Sequence, residues 1–222
     1  MAIKIALAGN PNCGKTTMFN ALTGANQYVG NWPGVTVEKK EGKLKGKKGK
    51  GEDIIVTDLP GIYSLSPYTL EEVVSRDYVL KENPDVIIDL VDATNIERNL
   101  YLTTQLIETG VPVVIALNMA DLLEKRGIKI DTKRLSMLLD CPIIETSALK
   151  GEGLDKLIDE AVKVAKSSKV DLPKEIFTKE MEEAISEVKK VLPSSITEDK
   201  KRWYAVKFLE NDEKVKEAMK LS

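Results

Sequence analysis

The sequence predicts an α/β fold, in which helices cover both faces of a mostly parallel sheet, followed by a small all-helical domain. Its short apolar runs are nearly continuous rather than alternating, as is typical of strands buried on both faces. Helical patterns lie between most of these runs, which favours parallel strands joined by helices. From about residue 166 onwards only helical patterns remain.

Composition narrows the class of protein. The 222 residues, 42% of them hydrophobic, suit one domain of about 150 to 200 residues with a smaller unit attached. A net charge of −2 gives no overall attraction to nucleic acid or anionic lipid. Two cysteines do not make a disulfide scaffold, and the lack of histidine excludes a histidine metal ligand or general base. There is no signal-peptide core and no run of about 18 apolar residues that would predict a membrane span.

The first strand and the first helix flank a glycine-rich loop. The run "IKIALAG" predicts a buried strand that ends at Gly9, and "TTMFNALTG" predicts a helix that ends at Gly24. Between them, "GNPNCGKT" fits the phosphate-loop pattern G-x-x-x-x-G-K-[ST]. Backbone N–H groups and a helix N-terminus form an anion cradle at such a loop. We expect Lys15 to contact the outer phosphates and the Thr16 hydroxyl to bind Mg²⁺.

Strands and helices alternate as far as about residue 166. Helices are predicted by a capping box at Thr69 and Glu72, by a stop at Gly110 and by an apolar stripe in "LDKLIDEAVKVAKSS". A lysine-rich run, residues 39–50, joins two strands; such a run is more often a solvated hairpin tip than a site for RNA or lipid head groups. The other predicted strands are "IIVTDLPG", "DVIIDLVDAT", "VPVVIALNMAD" and "CPIIETSA".

The segment "SSKVDLPKE" predicts a linker, which divides the chain into residues 1–166 and 167–222. The second part ends abruptly at Ser222, as a fragment of a longer protein would. Two apolar faces are predicted within it. One comprises Met181, Ala184, Ile185, Val188 and Leu192, and the other comprises Trp203, Val206 and Leu209.

Three short motifs follow predicted strands. In "DLPG", Asp58 can hold Mg²⁺ through water, and the Gly61 amide can meet a γ-phosphate. In "NMAD", Asn118 and Asp121 can bind the base, since a carboxylate accepts hydrogen bonds from guanine N1 and N2. In "TSA", the Ala148 amide can meet guanine O6. Ligands bind at the carboxyl ends of strands in open α/β sheets, so these motifs predict a guanine nucleotide-binding domain of the Ras-like P-loop class.

The stretch "GNWPGVT", residues 30–36, lies where this class has its first switch. The switch needs a threonine that reaches Mg²⁺ and the γ-phosphate, and Thr36 is in that place. Ile62 follows "DLPG", where Ras-like GTPases have a water-orienting glutamine. No arginine occurs in residues 9–61, so these loops offer no internal arginine finger. Water orientation and charge compensation must come from elsewhere.

Two positions depart from the usual base motifs. Met119 replaces the lysine of N-K-x-D, and Leu149 stands where many GTPases have a lysine after Ser-Ala. The aliphatic stem of Met119 can still cover the base, without the charge. Both changes favour modest nucleotide affinity and are compatible with rapid GDP release without a separate exchange factor.

Over about residues 1–166, the chain resembles the N-terminal cytoplasmic part of the FeoB ferrous iron transporters. The helical tail resembles, less specifically, the family's GDP-dissociation-inhibitor-like domain, which usually continues beyond Ser222. The resemblance implies a slow GTPase at the cytoplasmic face of the cell membrane that regulates a membrane domain absent from this chain, this fragment being soluble itself. The motifs in question are "GNPNCGKT", "VGNWPGVTVE", "DLPGIYSLSPYTLEE", "DVIIDLVDATNIERNLYLTTQLIETG", "ALNMAD" and "TSALKG".

The resemblance also implies a potassium site. Asparagine at the position of Asn12 is associated with potassium-activated GTPases, in which the ion stands where an arginine finger would place its guanidinium. The carbonyl groups of Gly30 and Trp32 would complete the site, with the Trp32 ring anchoring the loop. Two alternatives stay open: Asn12 as a loop-stabilising residue, and Trp32 as ordinary packing or a partner contact.

The full predicted site follows from these motifs and this resemblance. Its catalytic residues are Asn12, Lys15, Thr36 and Gly61. Its nucleotide-binding residues are Gly9, Asn10, Pro11, Asn12, Cys13, Gly14, Lys15, Thr16, Thr17, Gly34, Val35, Thr36, Asp58, Gly61, Asn118, Met119, Asp121, Ser147, Ala148 and Leu149. Thr16, Thr36 and, through water, Asp58 are the predicted magnesium ligands, and Asn12, Gly30 and Trp32 are the predicted potassium ligands.

The leading hypothesis is a GTPase switch that controls ferrous iron transport, with GTP or GDP, Mg²⁺ and K⁺ as cofactors. Its partners would be guanine nucleotide and the membrane domain of the same polypeptide; a homo-oligomer is left open, and no nucleic acid is expected. Two other functions stay open. One is a soluble GTPase that acts on ribosomes or RNA, which the lysine run slightly favours. The other is a nucleotide-binding scaffold with negligible turnover.

Overall fold

The computed structural model describes residues 2–25, 27–45, 51–66, 68–167 and 177–220. The strands are β1 (Ile3–Gly9), β2 (Gln27–Asn31), β3 (Glu38–Lys43), β4 (Ile54–Asp58), β5 (Val86–Asp92), β6 (Val113–Asn118) and β7 (Ile143–Thr146). The helices are α1 (Lys15–Thr23), α2 (Leu70–Asp77), α3 (Ile96–Glu108), α4 (Ala120–Glu124), α5 (Thr132–Leu139), α6 (Leu154–Lys166), α7 (Lys179–Val191), α8 (Glu198–Leu209) and α9 (Glu213–Lys220). A π-helical turn, Tyr78–Glu82, continues α2.

The strands form one seven-stranded sheet in the order β2-β3-β4-β1-β5-β6-β7. In this spatial order, each pair of neighbours from β4 through β1, β5 and β6 to β7 is parallel. Strand β3 pairs in the antiparallel direction with both β2 and β4. This mixed sheet confirms the predicted mostly parallel α/β fold, and α7 to α9 confirm that a helical segment follows it.

Successive side chains of β1 enter two different cores, because side chains alternate across a strand. Ile5 and Leu7 pack with α1 and α6 on one face of the sheet. Ala6 and Ala8 pack with α2 and α3 on the other. The predicted apolar stripe of α6 is confirmed, because all five of its residues are buried: Leu154, Leu157, Ile158, Ala161 and Val162.

The helix boundaries follow the sequence signals. Thr69 and Glu72 form a reciprocal capping box at the start of α2, with both hydrogen bonds at 3.2 Å. Gly24 (φ 63°) and Gly110 (φ 79°) follow the ends of α1 and α3 in conformations with positive φ that glycine tolerates best. These three predictions are confirmed.

Strand β2 is a difference from the sequence analysis, which predicted no strand between the first helix and the first switch at residues 30–36. Among the strands that the structure describes, it pairs with β3 alone, and its side chains Tyr28 and Val29 are 66% and 54% exposed, so no buried apolar pattern marks it. Helix α5 was missed for the same reason, since it buries none of its residues. Part of the lysine-rich run and most of the expected linker lie outside the described residues.

The helical tail packs on the α/β part through α8. Ile185 and Leu192 of α7 form a core with Val206, whereas Trp203 packs with Leu80 of the π-helical turn. The expected shared face of Trp203, Val206 and Leu209 is therefore wrong: the first two enter different clusters, and Leu209 is 37% exposed. Across the described ranges, no helix is long and apolar enough to cross a bilayer.

Candidate nucleotide-binding site

Four parallel strands end beside the predicted motifs. Gly9 ends β1, Asp58 ends β4, Asn118 ends β6 and Thr146 ends β7. Because these strands run in the same direction in one sheet, their carboxyl ends meet at the same edge, where ligands of open α/β sheets bind. The structure thus gathers the phosphate-loop, "DLPG", "NMAD" and "TSA" segments, as the sequence predicts.

The glycine-rich loop has a backbone that demands its glycines. Gly14 lies at φ 94°, and a Cβ there would be 2.5 Å from Asn118 Nδ2. Gly9, at φ 151°, would place a Cβ 2.7 Å from the Leu90 carbonyl oxygen. Helix α1 then begins at Lys15 with neither a capping side chain nor an acidic residue in its first turn. Its first amide groups and its dipole are consequently suited to hold an anion.

Lys15 forms a buried ion pair with Asp58. Its Nζ donates to Asp58 Oδ1 at 2.7 Å, and the two residues are only 9% and 7% exposed. Burial raises the pKa of Asp58, and the Lys15 ammonium opposes that rise. The two charges compensate each other in this conformation.

Asn118 connects three loops of the site. Its Nδ2 donates to the Cys13 carbonyl at 2.9 Å, and its Oδ1 accepts from the Ala148 amide at 3.0 Å. This buried side chain therefore holds the phosphate loop, the "NMAD" segment and the "TSA" turn together. The sequence analysis assigned Asn118 to the base alone and missed this positioning role, which an asparagine at a strand end does not reveal by itself.

Met119, Leu149 and Asp121 were predicted to surround the base, and they differ in their contacts and exposure. Met119, at φ 63°, precedes α4 and reaches the phosphate loop, where its Cε lies 3.7 Å from the place of a Cβ on Gly14. Leu149 is 89% exposed. Asp121 forms an ion pair with Lys150, with 2.9 Å between Oδ2 and Nζ. Lys150 was missed by the sequence analysis, although it directly follows "TSAL".

The first switch is held by Trp32. Its ring is 8% exposed and lies edge-on to Tyr78, with Lys39 Nζ 5.1 Å from the ring centroid. The Trp32 amide donates to the Val37 carbonyl at 2.9 Å, and its carbonyl accepts from the Val35 amide at 3.2 Å. Burial of the ring disfavours an exposed partner contact, and the contacts agree both with an anchor and with ordinary packing.

The predicted switch ligands lie around this anchor. Gly30 lies in β2 opposite Lys39, while Gly34 and Thr36 are exposed at the tip of the turn. Asn12 is also exposed, at φ 66° in the phosphate loop. Since the Trp32 carbonyl is engaged within its own turn, a cation bound there would use its second lone pair.

The end of the "DLPG" segment lies against the phosphate loop. A Cβ on Gly61 would be 3.2 Å from Pro11 Cα, and the Ile62 amide donates to the Gly9 carbonyl at 3.2 Å. The Ile62 side chain is 3% exposed within the core, so it takes no part in orienting water. Further along, the Leu65 amide donates to Gln105 Oε1 of α3 at 2.6 Å.

This fold, with a phosphate loop after β1 and base motifs after β6 and β7, is that of a Ras-like P-loop G domain. A family model described as "Ferrous iron transport protein B" matches residues 3–161, and one described as "FeoB cytosolic helical domain" matches residues 177–222. The chain therefore belongs to the ferrous iron transport protein B (FeoB) family.

Individual relatives agree with this membership. The Fe(2+) transporter FeoB of Shigella flexneri is 42% identical over 214 residues, which are 95% of this chain and 27% of that protein. A mutant of S. thermophilus NFeoB bound to mGDP has 50% identity and a TM-score of 0.94, over 100% of this chain and 84% of that one. The apo cytosolic domain of T. maritima FeoB has 39% identity and a TM-score of 0.88, over 98% and 85%. The chain thus spans about a quarter of the length of the first of these relatives.

Proposed function

We propose that this chain binds guanine nucleotides, hydrolyses GTP slowly and regulates ferrous iron transport by a membrane domain of the same polypeptide. The observation that supports it most is the buried Lys15–Asp58 pair at the uncapped start of α1. A buried ammonium needs an anion, and a phosphate group can replace Asp58 in that role. Asp58 then becomes available to a cation.

The residues present fit Mg²⁺. Thr16, Thr36 and Asp58 offer hydroxyl and carboxylate oxygens, which hard divalent ions prefer, and the Lys15 pair places the carboxylate next to the phosphate cradle. Bound Mg²⁺ would neutralise charge on the phosphates. The chain's own part is to orient those oxygens, while Lys15 and the Gly61 amide contact the outer phosphates.

Slow hydrolysis and potassium activation belong to the same proposal. The Ile62 side chain is committed to the core, and no arginine lies in residues 9–61. A cation held by Asn12 and by the carbonyl groups of Gly30 and Trp32 would compensate charge on the phosphates.

The domain boundary and the cellular location of the chain are proposals as well. We place the boundary between the G domain, residues 1–166, and the helical domain, residues 167–222, which agrees with the family matches to residues 3–161 and 177–222. The named relatives are Fe(2+) transporters, which supports a position at the cytoplasmic face of a membrane. A homo-oligomer stays open.

Calorimetric titration tests nucleotide binding. We expect GDP to bind at least tenfold more tightly than ADP, because adenine lacks the N1 and N2 donors for Asp121. Asp121→Ala should abolish this preference, and Lys15→Ala should abolish binding of both nucleotides. Lys163→Ala removes an exposed ammonium on α6 and should change neither result. Equal affinity of the unmodified chain for GDP and ADP would contradict the guanine site.

A further inference from the structure

Two segments of the base site meet in the ion pair between Asp121 and Lys150. Asp121 lies in the first turn of α4, and Lys150 lies two residues after Ala148. The Lys150 Nζ is 2.9 Å from Asp121 Oδ2. Lys150 is thus a charged neighbour of the carboxylate that the proposed function assigns to guanine recognition.

The backbone around Lys150 is fixed by a closed turn. Ser147 and Glu152 exchange both backbone hydrogen bonds, each at 3.1 Å, and the Lys150 amide donates to the Ser147 carbonyl at 3.2 Å. Gly153 follows at φ 76°, where a Cβ would lie 2.3 Å from the Glu145 carbonyl oxygen. The turn therefore presents Lys150 towards α4 from a defined position rather than from a loose loop.

Guanine and the Lys150 ammonium need the same acceptor. A carboxylate has two oxygens, and the guanine edge offers two donors, on N1 and on N2. When both donors are bound, one to each oxygen, the ammonium no longer has Oδ2 to itself. We propose that Lys150 is a specificity-determining residue of the base site, where its ammonium competes with the guanine 2-amino group for the Asp121 carboxylate. The inference rests on the proposed guanine site.

Hypoxanthine provides the contrast, because it keeps the N1–H donor but lacks the 2-amino group. With inosine diphosphate, one carboxylate oxygen can accept from N1 while the other keeps the Lys150 ammonium. With guanosine diphosphate, the ammonium has to share Oδ2 with a base donor, which weakens the ion pair. Lys150 therefore reduces the preference for guanine over hypoxanthine, and its removal should increase that preference.

The expected change in base selectivity can be sized from the exposure of the two paired side chains. The side chains of Lys150 and Asp121 are 46% and 23% exposed, so water and salt screen the pair. Exposed ion pairs have modest energies, which correspond to about a two- to fivefold change in an equilibrium constant. Lys125 also lowers the pKa of Asp121, after the Lys150 hydrogen bond and charge. It thus offers a matched charge near the same carboxylate.

The experiment measures the dissociation constants of GDP, inosine diphosphate and ADP for the unmodified chain, Lys150→Met and Lys125→Met. Because the phosphates of GDP and inosine diphosphate are identical, the ratio of their constants isolates the base edge from long-range attraction. We expect this selectivity ratio to rise about two- to fivefold in Lys150→Met and to stay unchanged in Lys125→Met. The rise should become smaller in about 1 M NaCl, where the screening length is near 3 Å.

Three results would overturn the inference in distinguishable ways. An unchanged ratio in Lys150→Met means that the ion pair plays no part in base selection. An equal rise in Lys125→Met assigns the effect to general charge instead of the contact. ADP binding as tight as that of GDP to the unmodified chain removes the guanine site itself, and the role of Lys150 with it.

Discussion

The indole ring of Trp32 lies edge-on to the phenol ring of Tyr78, with 5.3 Å between the ring centroids and 74° between the planes. Trp32 belongs to the first switch, whereas Tyr78 opens the π-helical turn after α2. Leu80 of the same turn packs against Trp203 of the helical tail. The π-helical turn, five residues long, thus contacts both the first switch and the helical tail.

We predict that Trp32 reports nucleotide state by fluorescence. The Thr36 side chain is exposed in a turn closed by the Trp32–Val37 hydrogen bond, and we expect its binding to Mg²⁺ and a γ-phosphate to open this turn and expose the indole to water. A non-hydrolysable GTP analogue with Mg²⁺ should therefore shift the tryptophan emission to longer wavelength, whereas GDP should not. Steady-state emission spectra of the chain measure the shift.

Only two tryptophans contribute to this signal, so the control is direct. Trp32→Phe keeps an aromatic ring against Tyr78 and should remove the shift, because Trp203 is 1% exposed and stays in the tail core. A shift that persists in Trp32→Phe would place the change at Trp203 and contradict the prediction.

The phosphate loop and the base motifs could be located from the sequence for two reasons. Their residue types are set by local backbone geometry, and each motif directly follows a recognisable strand. The glycines of "GNPNCGKT" are needed where the backbone approaches Asn118 and Leu90, and such a need is visible in the sequence. Strands β4, β5 and β6 were equally visible, since burial on both faces makes them continuously apolar.

Other features depend on contacts distant in sequence, and the sequence does not display them. Strand β2 exists because β3 lies beside it, not because of its own polar residues. Trp32 packs against Tyr78, which lies 46 positions later in the chain. The ion pair between Lys150 and Asp121 requires the "TSA" turn to lie next to α4. Such partners become apparent only when the strands are placed in their spatial order.

Arg202 should be a determinant of stability. Its guanidinium donates to Glu108 of α3 at 2.7 Å and to Glu182 of α7 at 2.7 and 2.9 Å, and hydrogen bonds to Glu182 raise its pKa further. Arg202→Met would leave two carboxylates of low exposure without their shared cation. Loss of one partner of a buried ion pair costs about 3–5 kcal/mol, so urea unfolding should show a decrease of that size.

The matched control for Arg202 is an exposed pair on the same helical tail. Lys190 and Glu187 of α7 are 64% and 72% exposed, so Lys190→Met should change the free energy of unfolding by less than about 0.5 kcal/mol. A loss below about 1 kcal/mol for Arg202→Met would show that the tail does not depend on this contact.

Asp89 should make stability depend on pH. It lies in β5 at 1% exposure and accepts a hydrogen bond from Thr103 Oγ1 at 2.6 Å, and burial raises its pKa from 3.8 to about 6. The folded state then binds more protons than the unfolded state between these values, so stability falls as pH rises through about 6. The nearby thiols of Cys13 and Cys141 stay neutral in this range, because burial raises the pKa of each to about 12.

Asp89→Asn removes this titration while keeping an acceptor for Thr103. The free energy of unfolding of the unmodified chain, relative to the variant, should decrease by about 1–2 kcal/mol between pH 5 and pH 7.5. Denaturant titrations at the two pH values measure this difference, and any constant cost of the buried amide cancels from it. Parallel pH profiles would mean that Asp89 keeps the same charge over the whole interval.

Hydrolysis should be faster in KCl than in NaCl at equal ionic strength. An arginine finger accelerates GTP hydrolysis by roughly 10³ to 10⁵, and intrinsic rates without one are about 10⁻⁴ to 10⁻² per second. Because residues 9–61 contain no arginine, we expect another cation to compensate charge at the phosphates. Carbonyl and amide oxygens can replace the hydration shell of K⁺, and the smaller Na⁺ should fit the same ligands poorly. Phosphate release under single-turnover conditions measures the two rates.

Asn12→Ala should erase the difference between the two salts and leave GDP affinity largely unchanged, because the exposed Asn12 side chain lies outside the Lys15 and Asn118 contacts that support the phosphate loop.

Arg98 provides the competing explanation, since its guanidinium lies 4.2 Å from the ring centroid of Tyr63, directly after Ile62. Arg98→Lys keeps the charge but loses the planar stacking group, and it should preserve the potassium effect. Equal rates in KCl and NaCl for the unmodified chain, together with a large loss of turnover in Arg98→Lys, would assign charge compensation to the arginine instead of a bound ion.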